Sequence, residues 1–220
     1  MAVDAPGPAH RRAQYAVPVR RALLVIDVQN EYVSGALPIS YPPVAHSLER
    51  IGRALDAADS WGIPVILVQQ TAPESSPIFA AGSAGAALHP LVAARRRDLL
   101  LSKTLPSCFA DTDLDRWLRE NGIDTVTIAG YMTQNCDEST ARDAAHRGYR
   151  AEFLSDATGT LAMSNEAGAI GARELHEAVA IVLQSRFAAV VTTEQWCEAV
   201  ASGVSLTGSN VFASTAVARG

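Results

Sequence analysis

The stretch Arg21-Ala-Leu-Leu-Val-Ile-Asp27 is a short, uninterrupted apolar run that ends in a carboxylate. Such a run is typical of a strand buried on both faces, as the strands of a parallel sheet are. A helical stripe follows it and ends at Gly62, and Ile63 to Val68 form a second apolar run. The members of the stripe, three or four residues apart, are Val44, Leu48, Ile51, Leu55 and Ala58. This order of strand, helix and strand predicts a βαβ unit and a layered α/β sheet.

The rest of the chain continues the alternation of strands and helices. We predict further strands over residues 98–101, 124–129, 149–154 and 188–192, which brings the number of strands to six. We predict further helices over residues 112–121, 135–146 and 166–185, and a last one after residue 192. Thr112 and Asp115 have the spacing of an N-cap pair, and Asn135 is the expected N-cap of the helix that contains Cys136.

The chain shows no internal repeat and no interdomain linker, which predicts a single domain over residues 21–202. Residues 1–20, which include several prolines, are expected to form a flexible N-terminal tail, and residues 203–220 a C-terminal tail of small and polar residues. Residues 70–90 break the alternation with Pro73, Pro77, Gly82, Gly85 and many small residues. Because a loop of this length in a compact domain is usually functional, we expect it to form the rim of a substrate site.

The composition excludes several classes of protein. Of the 220 residues, 48% are hydrophobic and 19% are charged, which is too apolar for a disordered chain. The 18 Lys and Arg against 23 Asp and Glu give a net charge of −5, so we expect neither a nucleic-acid partner nor a membrane partner. No apolar run approaches the roughly 20 residues that cross a bilayer, and Met1 to Val19 has no apolar segment typical of a secretory signal. We therefore expect a cytoplasmic protein that acts on a small molecule.

The three cysteines are Cys108, Cys136 and Cys197. They cannot all pair within one chain, and their spacing is too wide for a Cys-x-x-Cys metal site. We expect free thiols in a reducing compartment.

Polar residues that follow the apolar runs indicate where a ligand would bind, because ligands of open parallel sheets lie at the carboxyl ends of the strands. Asp27 ends the first strand, Lys103 follows the third, and Cys136 lies in the first turn of a helix after the fourth. A helix start and a nearby cation favour a lowered pKa for Cys136, and Asp27 is placed to exchange a proton with the thiol. Asp137 and Glu138 would oppose ionisation of the thiol if they pointed towards it.

Each of these three residues also has a structural interpretation when it is taken alone. Asp27 is suited to a turn, Lys103 to a solvated surface, and Cys136 to a buried position among small side chains. Only their joint placement at three strand ends favours a catalytic site.

Three segments together resemble the motifs of the isochorismatase-like cysteine hydrolases, in particular amidohydrolase-type members such as nicotinamidases and N-carbamoylsarcosine amidohydrolases. The segments are Leu23-Leu-Val-Ile-Asp27-Val-Gln-Asn-Glu31, Ser102-Lys103-Thr-Leu-Pro-Ser-Cys-Phe109, and Gly130-Tyr-Met-Thr133-Gln-Asn-Cys136 with Thr140-Ala-Arg-Asp-Ala144. They occur in the family's order over about residues 20–200 and are specific as a set.

The resemblance implies a six-stranded, mostly parallel sheet with helices on both faces, a Rossmann-like three-layer fold. It implies that Asp27, Lys103 and Cys136 form a catalytic triad. It further implies an oxyanion hole made by the backbone N–H groups of Met132 and Cys136, with a cis peptide bond between Tyr131 and Met132. Relatives are commonly homo-oligomers, so a homodimer or homotetramer is expected.

The metal-dependent nicotinamidases have an Asp-x-His-x-x-His segment after the second strand, whereas residues 69–90 contain one histidine, His89. We therefore expect no metal and no other cofactor. The expected function is cysteine-dependent hydrolysis of a C–N bond in a small amide, carbamoyl or ureide-like compound through a thioester. Gln29, Gln69, Phe79 and Tyr131 are the expected substrate contacts. Two alternatives remain open: hydrolysis of an isochorismate-type vinyl ether, and a catalytically silent member that binds a small molecule.

Overall fold

The computed structural model describes residues 19–216 of the chain. The predicted N-terminal tail up to residue 18, and the predicted C-terminal tail from residue 217, lie outside the described residues. Within residues 19–216, no helix combines the length and the apolarity that crossing a membrane requires.

Strands and helices alternate along most of the described chain. The strands are β1 (Arg21–Ile26), β2 (Val65–Gln70), β3 (Leu99–Lys103), β4 (Thr125–Tyr131), β5 (Arg150–Gly159), β6 (Met163–Asn165), β7 (Gly168–Ile170) and β8 (Ala189–Val191). The α-helices are α1 (Val44–Trp61), α2 (Pro90–Ala93), α3 (Leu114–Glu120), α4 (Glu138–His146), α5 (Ala172–Gln184), α6 (Thr193–Ala201) and α7 (Val211–Ser214). A 3-10 turn covers Asn30–Tyr32, and a π-helical turn covers Thr133–Asp137.

The main sheet has six strands in the order β3-β2-β1-β4-β5-β8, and each neighbouring pair is parallel. The strand order reverses between β1 and β4, since β2 and β3 extend the sheet to one side of β1 while β5 and β8 extend it to the other. In open α/β sheets this reversal opens a crevice at the carboxyl ends of the two strands. Asp27 follows β1 and Cys136 follows β4, so both lie at this crevice.

The sheet is covered by helices on both faces. Along β1, Leu24 and Ile26 pack into a cluster with apolar side chains of α3, α4 and α5. Leu23 and Val25, which alternate with them, pack into a second cluster with side chains of α1 and α6. Two cores on opposite faces of one sheet confirm the predicted single-domain, three-layer α/β fold.

A buried ion pair in the sheet is hydrogen-bonded to α6. The guanidinium of Arg21 donates through Nε and Nη2 to the carboxylate of Glu152, with the shortest distance 2.9 Å. Thr127 Oγ1 and Trp196 Nε1 donate to Oε2 of the same carboxylate at 2.8 Å and 2.9 Å. Because these donors come from β1, β4 and α6 and the acceptor from β5, one carboxylate joins four elements.

The predicted helices 166–185 and 112–121 begin later than expected. The predicted helix 166–185 begins at Ala172, because β6 and β7 form an antiparallel hairpin in which Gly168 has a φ of +141°, outside the helical region. The predicted helix 112–121 begins at Leu114. Thr112 Oγ1 donates to the carbonyl of Cys108 at 2.6 Å instead of forming a capping pair with Asp115.

The described part of the predicted C-terminal tail contacts the domain. Arg21 Nη2 donates to the carbonyl of Val204 at 2.6 Å, and the N–H of Ser209 donates to the carbonyl of Gln184 at 2.8 Å. Beyond these contacts, Asn210 caps the short helix α7. The division of the chain at residues 20 and 203 stays a prediction.

Candidate active site

The structure brings the three candidate catalytic residues together. Asp27 directly follows β1, Lys103 is the last residue of β3, and Cys136 lies in the π-helical turn after β4. Lys103 Nζ lies 2.7 Å from Asp27 Oδ2 and 3.2 Å from Cys136 Sγ. All three residues are buried, and the side chains of Asp27 and Lys103 are 0% exposed.

Lys103 Nζ has three neighbouring acceptors for its three N–H groups. The third is Gln70 Oε1, which lies 2.7 Å away and is oriented because Gln70 Nε2 donates to the carbonyl of Thr104 at 3.1 Å. Lys103 is the only lysine among the 18 Lys and Arg of the chain. A compact ammonium with three separately directed donors suits this position, which the planar guanidinium of arginine does not match.

The turn that positions Cys136 begins with a close approach of two strands. Gly130 has a φ of +127°, and a Cβ atom at this position would overlap the carbonyl oxygen of Ile26 on β1. The peptide bond between Tyr131 and Met132 is cis, as the resemblance implied. Asn135, predicted to cap the helix, instead lies inside the π-helical turn, in which the N–H of Asp137 donates to the carbonyl of Met132 at 3.2 Å. Helix α4 begins only at Glu138, two residues beyond the thiol.

The charges around the thiol do not lower its pKa, so that prediction is wrong. Burial raises the pKa of Cys136, the neighbouring carboxylate of Asp27 raises it further, and Lys103 offsets only part of this. Burial would lower the pKa of Lys103, but the negative charge of Asp27 opposes this, and the pKa lies above its ordinary value. Burial also raises the pKa of Asp27, against the opposing effect of Lys103. The resting site therefore has a neutral thiol and a protonated lysine, beside a carboxylate that is more basic than an ordinary aspartate.

The carboxylate of Asp27 has oxygen atoms that are free to accept a proton. Its contact with Lys103 is an ion pair rather than an aligned hydrogen bond, and neither carboxylate oxygen has a hydrogen-bond partner in ideal geometry among residues 19–216. Asp27 has a φ of +52°, a left-handed conformation that aspartate adopts more readily than most residues. Asp27 therefore adopts a turn conformation and also provides a buried carboxylate that can accept a proton.

A small cavity lies next to the thiol. Its volume is about 230 Å³, and its lining residues are Tyr32, Gln70, Ile78, Phe79, Thr104, Pro106, Asn135 and Cys136. A larger groove of about 740 Å³ lies between Tyr41 near the start of α1 and His176 on α5, and none of the three catalytic candidates lines it. The smaller cavity is therefore the candidate substrate site.

Comparison with known proteins assigns the chain and its fold to a family. Residues 21–195 match the family model of the isochorismatase domain. The chain belongs to the isochorismatase family. It is similar in structure to an isochorismatase-family protein from Burkholderia xenovorans LB400, with a TM-score of 0.91, 54% identity, and coverage of 92% of this chain and 98% of that chain.

Two further members of the isochorismatase family have more specific names. The cysteine hydrolase from Pseudomonas syringae pv. phaseolicola 1448A has a TM-score of 0.79 at 26% identity, covering 86% of this chain and 95% of that chain. The ureidoacrylate amidohydrolase RutB from Methylobacterium radiotolerans is 32% identical over 174 residues, which are 64% of this chain and 67% of that protein. Members of the family are thus hydrolases, and amidohydrolases are among them.

The third motif of this isochorismatase-family protein holds the second motif in place. On α4, Thr140 Oγ1 accepts the N–H of Cys108 at 3.0 Å, and Asp143 Oδ2 accepts the hydroxyl of Ser107 at 2.7 Å. Both contacts fix the loop that follows Lys103. The motif residues after Cys136 therefore position the strand that ends in Lys103 relative to the turn that contains Cys136.

Of the four predicted substrate contacts, Phe79 is the one that lines the cavity. Gln29 is fully buried, and its Nε2 donates to the carbonyls of Gln70 and Ala86 at 2.9 Å and 2.7 Å. Gln69 Nε2 donates to the same carbonyl of Ala86 at 2.8 Å. Tyr131 is fully buried, and its hydroxyl lies 2.8 Å from Ser47 Oγ. These three side chains fix the loop and the sheet around the site rather than line it.

The loop of residues 70–90 does contribute to the candidate site. Ile78 and Phe79 from this loop line the cavity. Glu31 anchors the loop, since its Oε2 accepts the N–H of Phe79 at 3.5 Å while its Oε1 accepts the N–H of Ala36 at 2.6 Å. His89 at the end of the loop caps α2 through Nδ1. Within residues 19–216, no group of three His, Cys, Asp or Glu side chains is arranged to hold a metal ion.

Asp137 is a fully buried carboxyl next to Cys136 in sequence. Neither of its oxygens has a hydrogen-bond partner among the described residues. Burial raises its pKa well above the ordinary value, and the charge of Asp27 adds to that shift. Burial therefore favours the uncharged form of this carboxyl, which opposes a second negative charge beside the thiol.

Sequence reasoning missed most of the cavity wall. Tyr32, Ile78, Thr104, Pro106 and Asn135 line the cavity without having been predicted to do so. Two signals were available: Thr104 and Pro106 lie within three residues of the end of the strand that ends in Lys103, and Asn135 precedes Cys136. Tyr32 and Ile78 come from loops, whose approach to the thiol no local pattern encodes.

Proposed function

We propose that this isochorismatase-family protein is a cysteine amidohydrolase that cleaves a C–N bond of a small amide, carbamoyl or ureide-like compound. The observation that supports this best is the buried contact of Lys103 Nζ with both Asp27 Oδ2, at 2.7 Å, and Cys136 Sγ, at 3.2 Å. A nucleophile, a proton acceptor and a cation in direct contact are what covalent acyl transfer requires. The names of the cysteine hydrolase and the ureidoacrylate amidohydrolase among its relatives support the same function.

In the first step, Cys136 attacks the substrate carbonyl. Because the thiol is protonated at rest, its proton moves to the carboxylate of Asp27 as the S–C bond forms. The electron pair of the carbonyl π bond moves to oxygen. We assign the backbone N–H groups of Met132 and Cys136 as the donors that stabilise this oxyanion.

In the second step, the C–N bond breaks and the protonated Asp27 donates its proton to the leaving nitrogen. Ammonia or an amine departs and a thioester on Cys136 remains. Water then attacks the thioester, Asp27 accepts a proton from that water, and the sulfur leaves and regains the proton. The products are a carboxylic acid, or its carbamic counterpart, and the regenerated thiol.

Lys103 keeps its proton throughout this sequence. Its ammonium faces the carboxylate of Asp27 at rest and in the thioester stage, and when the proton is on Asp27 the negative charge lies on the substrate oxyanion, so the buried site contains one cation and one anion at each stage. This constant charge matters because an unpaired charge in a buried site is strongly destabilised.

Ammonia release from a panel of small amides, carbamoyl compounds and ureides tests the proposal. The wild-type protein is expected to hydrolyse at least one of them, and Cys136→Ala to lose that activity by a factor of at least about 1,000. Cys197→Ala, which removes a thiol away from the cavity, is the matched control and should keep wild-type activity. Full activity of Cys136→Ala, or no turnover by the wild-type protein, would refute the proposed function. Product analysis would reveal vinyl-ether hydrolysis instead.

A further inference from the structure

The cavity beside Cys136 is small. Its volume of about 230 Å³ lies below the roughly 300–1,000 Å³ of sites that bind drug-sized ligands. If the thiol attacks a carbonyl in this cavity, the acyl group attached to that carbonyl must be correspondingly small.

The cavity wall consists of aromatic, aliphatic and uncharged polar side chains. Tyr32 and Phe79 are both buried, and their ring centroids lie 5.2 Å apart. Burial raises the pKa of Tyr32, so its hydroxyl is neutral. None of the lining residues within the described part of the chain is Asp, Glu, Lys or Arg. A charged substituent on the acyl group would therefore lose its water without gaining an ionic partner, which is strongly unfavourable.

The charged residues just outside the cavity lining make the binding of an anionic acyl substituent still less favourable. Lys103 is the one basic residue of the catalytic cluster, and its three acceptors are Asp27, Gln70 and Cys136. On the acidic side, Glu31 lies 3.5 Å from the N–H of Phe79. Two acidic residues, Asp27 and Glu31, therefore lie close to the cavity lining against one basic residue.

We infer that the substrate is a small amide with an uncharged, largely apolar acyl group, and that the cavity discriminates against acyl groups that carry a carboxylate or an ammonium. The inference rests on the proposed amidohydrolase function and narrows it. It separates this protein from enzymes whose substrates carry a carboxylate that needs a cationic partner in the site.

Two pairs of primary amides with matched skeletons test this inference. Isovaleramide and malonamate differ in an isopropyl group against a carboxylate, and butyramide and β-alaninamide differ in a methyl group against an ammonium. We expect kcat/KM, measured by ammonia release from the wild-type protein, to be at least about 100-fold higher for the uncharged member of each pair.

The outcomes distinguish this inference from the proposed function. If malonamate or β-alaninamide is hydrolysed as fast as its uncharged partner, the inference is wrong and the amidohydrolase function stands. Release of ammonia from none of the four overturns the inference as well. The wider amide panel then shows whether the amidohydrolase function has failed with it.

A designed cation in the cavity tests the electrostatic cause. Thr104 lines the cavity and is exposed, and it makes no side-chain hydrogen bond among the described contacts, so it tolerates a longer side chain. Thr104→Arg should raise the ratio of malonamate to isovaleramide hydrolysis by at least about 10-fold relative to Thr104→Gln, which adds length without charge. An equal ratio in the two variants would contradict the inference.

Discussion

Lys103 is the residue on which the geometry of the candidate site depends most. Its ammonium contacts Asp27, Gln70 and Cys136, which come from three different strand ends. Since a guanidinium is planar and larger, Lys103→Arg should keep the positive charge yet lose the directed contacts. We expect kcat to fall by at least about 100-fold in Lys103→Arg and also in Lys103→Met, with ammonia release as the measurement. Retention of activity within about 10-fold by Lys103→Arg would show that charge alone suffices.

Asp137 allows a prediction about stability and pH. Its folded-state pKa lies above the reference value of 3.8, so the unfolded chain loses this proton at a lower pH than the folded protein does. The free energy of unfolding therefore falls as pH rises from the reference value up to the folded-state pKa. Asp137→Val removes this loss and fills a similar volume. We expect the variant to be more stable than wild type by about 1–3 kcal/mol at pH 7, with the difference shrinking as pH falls towards 4.

Urea unfolding of Asp137→Val and of the wild-type protein at pH 4 and pH 7 is the measurement for this prediction. Asp137→Asn is the control, because it removes the ionisation but keeps a polar group. A destabilised Asp137→Val variant at pH 7 would mean that the carboxyl has a stabilising partner in solution.

For the individual residues, the sequence was sufficient to predict that Asp27, Lys103 and Cys136 lie together, but not to predict the electrostatics around them. Their catalytic role stays a prediction. Asp27, Lys103 and Cys136 follow apolar runs, and parallel strands place such residues at one edge. The direction of the pKa shift of Cys136 was predicted wrongly, because it depends on the extent of burial and on the distance to Asp27, which only the folded structure provides. The contact of Gln70 with Lys103 depends in the same way on the pairing of β2 with β3, which places the two residues at partner positions.

Among the elements, the segment from the end of β4 into α4 determines the position of Cys136. Gly130 lies where β4 passes closest to β1, and a Cβ atom there would overlap the carbonyl of Ile26. Gly130→Ala should therefore cost more than about 3 kcal/mol of unfolding free energy, or prevent folding. The control is Gly62→Ala, at a positive φ of +64° with nothing within 4 Å, which should cost only about 1–2 kcal/mol.

Thermal and urea unfolding of the two glycine variants measure this difference. A similar loss of stability in both would mean that backbone conformation alone, and not the approach of β1 to β4, requires glycine at position 130.

Element types were easier to predict than element boundaries. The six main strands were predicted because buried parallel strands are continuous apolar runs. The start of α5 was missed because Glu166 and its neighbours fit a helical pattern, while the hairpin of β6 and β7 depends on Gly168 and on Asn165 Oδ1 accepting the N–H of Ala167 at 2.9 Å. The π-helical turn around Cys136 leaves the N-cap signal at Asn135 unused.

For the whole molecule, the buried carboxylate of Glu152 links the sheet to α6. Arg21→Met would leave this carboxylate, on a residue that is 1% exposed, without its cation. We expect a loss of about 3–5 kcal/mol of unfolding free energy. The double variant Arg21→Met with Glu152→Gln should recover part of that loss, because no unpaired charge remains.

Urea unfolding followed by tryptophan fluorescence is suited to this comparison, since the indole of Trp196 donates to the same carboxylate. A loss below about 1 kcal/mol in Arg21→Met would contradict the role of the ion pair. The expected homodimer or homotetramer and the cytoplasmic location stay predictions at this scale.

The central claim is that Cys136 forms a thioester with the acyl group of the substrate. Partitioning to hydroxylamine tests it directly, because hydroxylamine competes with water for a thioester. A primary amide and an anilide with the same acyl group should then give the same ratio of hydroxamate to acid, since both pass through one acyl-enzyme. A ratio that depends on the leaving group, or hydrolysis without any hydroxamate, would contradict the account.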